Sequence, residues 1–174
     1  IAFAAKAGCR VAAIGSGRDA RRVELAKRMG AELFLDYRST SPDKRLAAVR
    51  KFAAKHGRGD GADLVFEASG SPSAVPEGLS LVRTRGRYVI PGQYSNSGGV
   101  TIEPQNITFK AVRITGSGQY TLQDIGSYIR FLENNRGLLP VFAETVTHKY
   151  KVSEADEAWR NASKGLSIKG VFVS

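Results

Sequence analysis

One cysteine, Cys9, stands in 174 residues. A lone thiol excludes an intrachain disulfide and any zinc site built from several cysteines, and it fits a reducing, cytoplasmic compartment. Histidine is almost as scarce, with His56 and His148 alone, far apart and in contexts that suit no metal site. No apolar run approaches the roughly 18 residues that span a bilayer. Residues 1–10 lack the basic start and apolar stretch of a secretory signal. Repeats, low-complexity tracts and obvious linkers are missing too. Acidic residues are few: 16 against 26 Lys and Arg leave a net charge of +10. That surplus raises the question of a nucleic-acid partner. The basic residues are spread along the chain among acids, with no run of five and no interleaved aromatics. They read as solvated helix faces. Neither a nucleic acid nor a membrane is an expected partner.

What is present is an alternation of short β-rich runs with helical stretches. Residues 1–7 read as the end of a helix capped by Gly8, and 10–14 as a buried strand closed by Gly15-Ser16-Gly17. Asp19 N-caps a helix that stops at Gly30. A strand at 33–35 ends in Asp36, and Ser41-Pro42-Asp43 opens the next helix. Further strands are expected at 63–68, 87–90, 100–102, 112–115, 145–150 and 168–173. Further helices are expected at 74–82, 122–132 and from Ser153. Cys9, just before a strand, reads as a small core residue. His56 suits a helix C-terminus, His148 a surface position, and Tyr150 and Trp159 packing. The alternation argues an α/β fold, a doubly wound parallel sheet with helices on both faces. In such sheets ligands lie at the carboxyl ends of the strands.

The motif Gly15-Ser16-Gly17-Arg18-Asp19-Ala20 follows a strand, opens a helix, and has Asp36 about 20 residues on, as a dinucleotide fingerprint does. Two details resist that register. Asp19 would put a carboxylate where a pyrophosphate needs positive potential, and residues 1–8 look like the end of an earlier helix.

The blocks 22–31 (Arg22 to Ala31), Asp63-Leu64-Val65-Phe66-Glu67-Ala68-Ser69-Gly70, Gly86 to Tyr94, Ile114-Thr115-Gly116-Ser117 and Ser167-Ile168-Lys169-Gly170-Val171 resemble, in order and spacing, the medium-chain dehydrogenase/reductase superfamily. Gly92-Gln93-Tyr94 and Glu103-Pro104 resemble its zinc-dependent alcohol and polyol dehydrogenases. The resemblance covers nearly the whole chain. It implies a Rossmann domain over residues 1–118 that lacks its first strand and glycine loop, leaving a gap between the strands at 10–15 and 63–68. Residues 119–174 would be a return segment packing on a catalytic domain.

Gly15, Ser16 and Arg18 then form the loop that meets the adenosine ribose. Members that use NAD place an acid there; a glycine, a hydroxyl and a guanidinium, with Arg21 or Arg22 in support, favour NADP over NAD. Ser69 and Gly70 match the segment near the adenosine half, and Pro91, Gly92 and Gln93 the segment at the nicotinamide. Ser117 and Gln119 match the segment that binds the carboxamide, and Lys169 a basic position reaching the phosphates. Asp36, Glu67 and Glu103 are read as loop or capping acids. No catalytic residue and no zinc ligand is assigned to this chain. The resemblance implies a parent enzyme that oxidises an alcohol or polyol reversibly, with zinc held by residues elsewhere. The chain alone is not expected to transfer hydride. A homo-oligomer pairing through the strands at 100–102 and 112–115 is expected. A zinc-free quinone or enone reductase of the same superfamily, or a non-catalytic nucleotide-binding domain, are the alternatives.

Overall fold

A computed structural model of the chain describes residues 1–93 and 95–174; Tyr94, in the Gly92-Gln93-Tyr94 block, lies outside them. The chain forms two compact units. The first comprises Ile1–Ala13, Gly17–Phe34 and Thr121–Ser174, the second Ile14–Ser16 and Leu35–Tyr120. Strands β1 (Val11–Gly15) and β2 (Ala31–Asp36) are hydrogen-bonded to one another. Among the described residues β1 and β2 form a two-stranded sheet of their own.

The first unit opens on α1 (Ala2–Lys6), and Gly8 turns the chain at φ +83°. α2 (Ala20–Arg28) starts at Asp19, whose side chain accepts from the Arg21 and Arg22 amides. It stops where Gly30 adopts φ +108°, a position at which a Cβ would lie 2.4 Å from that of Ala5. Thr121 and Asp124 form a reciprocal capping box at the start of α6 (Leu122–Asn134). Phe131 of that helix stacks on Phe3, ring centres 3.8 Å apart. A 3-10 turn and the short α7 (Leu139–Ala143) follow. These were not expected from the sequence, because five residues around Pro140 show no periodicity. Strands β6 (Val146–Tyr150) and β7 (Lys169–Phe172) pair in parallel around α8 (Ala155–Ser163).

The second unit holds α3 (Pro42–Lys55), β3 (Ala62–Phe66), α4 (Ala74–Leu81), β4 (Val82–Ile90), α5 (Gln105–Thr108) and β5 (Arg113–Gly116), with strand order β3-β4-β5, all parallel. Its core is Leu79, Val82, Tyr88 and Val112, with Val65, Val75, Ile90, Ile102 and Ile107 packed against it. Tyr88 is fully buried, and its hydroxyl donates to the Ala74 and Val75 carbonyls at 3.2 Å. Burial, with Glu67 and Glu77 nearby, pushes its pKa well up. Gly78 faces that ring: a Cβ there would sit 2.2 Å from the Tyr88 hydroxyl. Gly78→Ala should therefore lower stability by about 1–3 kcal/mol, the usual result of overpacking. The check is the urea midpoint, and an unshifted midpoint would mean that Tyr88 yields without cost.

Arg45, only 4% exposed, binds Glu77 through Nε at 2.6 Å and Nη2 at 2.7 Å and also donates to the Tyr37 and Thr40 carbonyls. A buried guanidinium is tolerated because each face finds an acceptor.

Several expectations need correction. Residues 100–102 are not a strand: 96–103 carry no regular structure, and Ile102 packs on the core. The oligomer edge expected there is thus left to β5 alone. β4 begins five residues earlier than expected, because Arg83 and Thr84 are tied to Asp63 and Asp60 and a bulge follows, with Arg85 at φ +59°. Cys9 is exposed, in the turn before β1. Trp159 is 78% exposed, whereas Tyr150 is buried and its hydroxyl accepts from Asn161. His148 is half-buried and stacked on Tyr150 rather than on the surface. No helix among the described residues is long and apolar enough to cross a membrane.

Candidate functional site

The three strands of the second unit end together. Phe66 pairs with Val89, and Ile90 with Gly116, so the segments 67–70, 91–93 and 117–119 leave the sheet at one end. Ser117 continues the ladder for one step, its amide donating to the Ile90 carbonyl at 3.3 Å. Gln119, in the exposed segment beyond it, has φ +62°.

Glu67 organises this edge. It is 4% exposed. Its Oε1 accepts from the Ser69 amide at 2.6 Å, the Ser69 hydroxyl at 2.5 Å and the Gly70 amide at 3.0 Å. Its Oε2 accepts from Gln93 Nε2 at 3.0 Å, and the same nitrogen donates to the Ser71 carbonyl at 3.0 Å. Burial alone would raise its pKa. The bonds from Ser69, Gln93 and Gly70 outweigh burial and hold the carboxyl below its usual range. The Glu67 carbonyl also accepts from the Gly92 amide at 2.9 Å.

Two glycines make this close approach possible. Gly70 adopts φ +71°, and a Cβ on Gly92 would lie 2.5 Å from Glu67 Oε2 and 2.8 Å from the Gly70 nitrogen. The result is a rim of backbone at the strand ends, with Gly116 and Gly118 facing open space. Pro91 and Gln93, half-buried, complete it. Ser69, Gly70, Pro91, Gly92, Gln93 and Ser117 are thus gathered at one edge. The sequence marks Glu67 as a capping acid; Gln93 as its second partner is visible only once β3 and β4 are paired.

At the end of β1, Gly15 accepts from the Tyr37 amide at 3.0 Å, and Ser16 is half-buried. Arg18 is exposed in the Gly17-Arg18 turn. Asp19 takes the first amides of α2 for itself, so the pyrophosphate register of the glycine motif finds its donors occupied. Arg21 and Arg22, expected as support for Arg18, are engaged elsewhere: Arg21 with the Glu144 carbonyl, Arg22 with Asp19 and the Gly165 and Ser167 carbonyls. Asp36 organises a turn, its Oδ1 accepting from the Arg38 amide at 3.0 Å, and Glu103 accepts from Gln105 and Asn106. Lys169 is exposed at the start of β7, opposite Val146. His56 caps the end of α3 and meets Phe52 edge-on. Among the described residues no group of three or more His, Cys, Asp or Glu could hold a metal ion.

Comparison with known proteins meets the same architecture. The family model described as zinc-binding dehydrogenase matches residues 1–134. The 5-exo-hydroxycamphor dehydrogenase of Pseudomonas putida is 29% identical over 153 residues, 88% of this chain and 41% of that protein. The L-threonine 3-dehydrogenase of Pyrococcus horikoshii is 32% identical, covering 99% of this chain and 47% of that protein. The crystal structure of an alcohol dehydrogenase from Thermotoga maritima superposes with a TM-score of 0.82 at 25% identity, over 94% of this chain and 43% of that one. The chain spans less than half the length of these relatives. Parallel strands with intervening helices, the backbone rim at their ends and a match over most of the sequence agree: this chain belongs to the zinc-binding dehydrogenase family.

Proposed function

We propose that this chain is the cofactor-binding portion of a cytoplasmic dehydrogenase that moves hydride between NADP and a small alcohol or polyol, or the matching carbonyl. Residues 1–118 serve as the nucleotide-binding part and residues 119–174 as a return segment that packs on a catalytic domain. The observation that carries the reading is the strand-end rim of Ser69, Gly70, Gly92 and Gln93 gathered by Glu67, in a member of this family.

The rim suits a nucleotide because Gly92 has no room for a side chain and leaves backbone at the surface. Ser69 and Gly70 would flank the adenosine half, Pro91, Gly92 and Gln93 the nicotinamide, and Ser117 and Gln119 its carboxamide. Lys169 would face the phosphates. When bound, the nicotinamide ring supplies the hydride acceptor or donor. Gly15, Ser16 and Arg18 favour NADP, since no acid there accepts from a bare ribose and a guanidinium can meet a 2′-phosphate. Zinc in the parent would be held by residues elsewhere, as the family resemblance implies.

Calorimetric titration of the chain with each cofactor tests the reading. NADP⁺ is expected to bind more tightly than NAD⁺, and no binding of either would remove it. A second expectation concerns assembly. β5 lies at the end of its sheet with Ile114 partly exposed, and such an edge pairs readily with another chain. Light scattering at high concentration should give twice the monomer mass; a monomer would count against pairing through β5.

A further inference from the structure

Arg22, in the first turn of α2, reaches from Asp19 into the C-terminal segment of its own unit. Its Nε meets Asp19 Oδ2 at 3.1 Å, and its Nη2 donates to the Ser167 carbonyl at 2.6 Å and the Gly165 carbonyl at 3.2 Å. Asp19 is the residue directly after Arg18, and it is held on its other oxygen by the Arg21 and Arg22 amides. Ser167 and Ile168 directly precede Lys169. Their shared peptide unit is fixed on both sides: the Ser167 carbonyl by Arg22, the Ile168 amide by Thr147 Oγ1 at 2.9 Å. Gly165 adopts φ +68° in the turn that delivers its carbonyl. One planar guanidinium therefore joins Asp19 to carbonyls 143 and 145 residues beyond Arg22 in sequence, each segment next to a cation assigned above to the cofactor.

We infer that Arg22 is a positioning residue for the cofactor phosphates: it does not touch them, but holds the Arg18 turn and the Lys169 segment in fixed register. This rests on the proposed roles of Arg18 and Lys169. The guanidinium fork is needed because three acceptors in different directions must be met at once, which the single ammonium of lysine does less well. Arg21 and Arg28, on either side of Arg22 along α2, tie the same helix to Glu144. Arg21 donates to the Glu144 carbonyl, and Arg28 grips the Glu144 carboxylate at 2.7 Å through both terminal nitrogens. Removing Arg22 should thus loosen the two segments without separating α2 from the rest of its unit.

The test combines hydrogen–deuterium exchange of the ligand-free chain with calorimetry, using adenosine 2′,5′-bisphosphate as probe. Arg22→Ala should speed exchange at residues 17–20 and at 165–169 together. It should also weaken the probe about tenfold, the scale of one charge-assisted bond. Arg22→Lys, which keeps the charge and the aliphatic stem, should restore less than half of the lost binding on a logarithmic scale; it decides the matter if Arg22→Ala does not melt cooperatively. Faster exchange in only one segment, or probe affinity within twofold of the original while Arg18→Ala or Lys169→Ala lowers it, would overturn the role of Arg22 and leave the site reading intact. If the unaltered chain does not bind the probe, or neither Arg18→Ala nor Lys169→Ala weakens it, the site reading fails and the inference fails with it.

Discussion

Arg18→Ala in the parent enzyme should weaken NADP by ten- to a hundredfold and leave NAD nearly unchanged. A charge-assisted hydrogen bond from arginine to phosphate contributes about 1.5–3 kcal/mol, which is that range of affinity. NAD has no 2′-phosphate to lose it. Arg21 and Arg22 are committed to Glu144, Asp19, Gly165 and Ser167, so neither is expected to replace the lost guanidinium. Arg18→Asp should go further and reverse the preference, since a carboxylate repels the phosphate and accepts from a ribose hydroxyl. Steady-state kinetics with both cofactors on the three proteins give the comparison. Equal losses for NAD and NADP in Arg18→Ala would identify Arg18 as a solvated turn residue and end the specificity claim.

The second large effect lies at Glu67. Glu67→Ala leaves the Ser69 amide and hydroxyl, the Gly70 amide and the Gln93 side chain without their acceptor. Hydrogen bonds to a charged group contribute about 1.5–3 kcal/mol each, and water replaces part of them at this half-exposed turn, so the net loss should be about 3 kcal/mol. In a chain of this length that lowers the melting temperature by roughly 6–12 °C. Cofactor binding should fall as well, because the Ser69-Gly70 turn and the Gln93 segment lose the group that joins them. The pH dependence follows from the same bonds. The folded pKa of Glu67 lies below its ordinary 4.5. Its contribution is therefore fully present above pH 4.5 and is lost as pH falls through the lower folded value. Melting temperature against pH, compared between the protein and Glu67→Gln, should diverge above about pH 4.5 and converge in acid. Curves that stay parallel down to pH 2 would show that the carboxylate charge does not matter there.

Helix ends were the most legible part of the fold. Asp19, Ser41 and Thr121 accept from amides two or three residues on, and Gly8 and Gly30 take positive φ where a helix stops. These are local bonds between near neighbours, and the side chains that make them are written in order. The strands at 10–14, 33–35, 63–68 and 145–150 were legible for the same reason, each being a short apolar run between turn residues. Residues 100–102 read the same way and fail, because a strand needs a partner and apolar composition cannot supply one. Trp159 and Cys9 were misjudged because an aromatic or a thiol says nothing about which face of its element is covered.

At the site, the sequence by itself determined which residues sit at strand ends and that no acid stands where β1 gives way to its loop: Gly15, Ser16 and Arg18 are a fact of order along the chain. It also placed glycines at 70 and 92. Only the tertiary structure decided that those glycines face each other, that Glu67 binds both its own turn and Gln93, and that Arg22 ties Asp19 to the C-terminal segment. The physical reason is distance along the chain. Hydrogen bonds spanning two or three residues follow from local backbone geometry, whereas bonds spanning 26 residues, or 145, exist only after strand pairing and helix packing have brought their partners within reach.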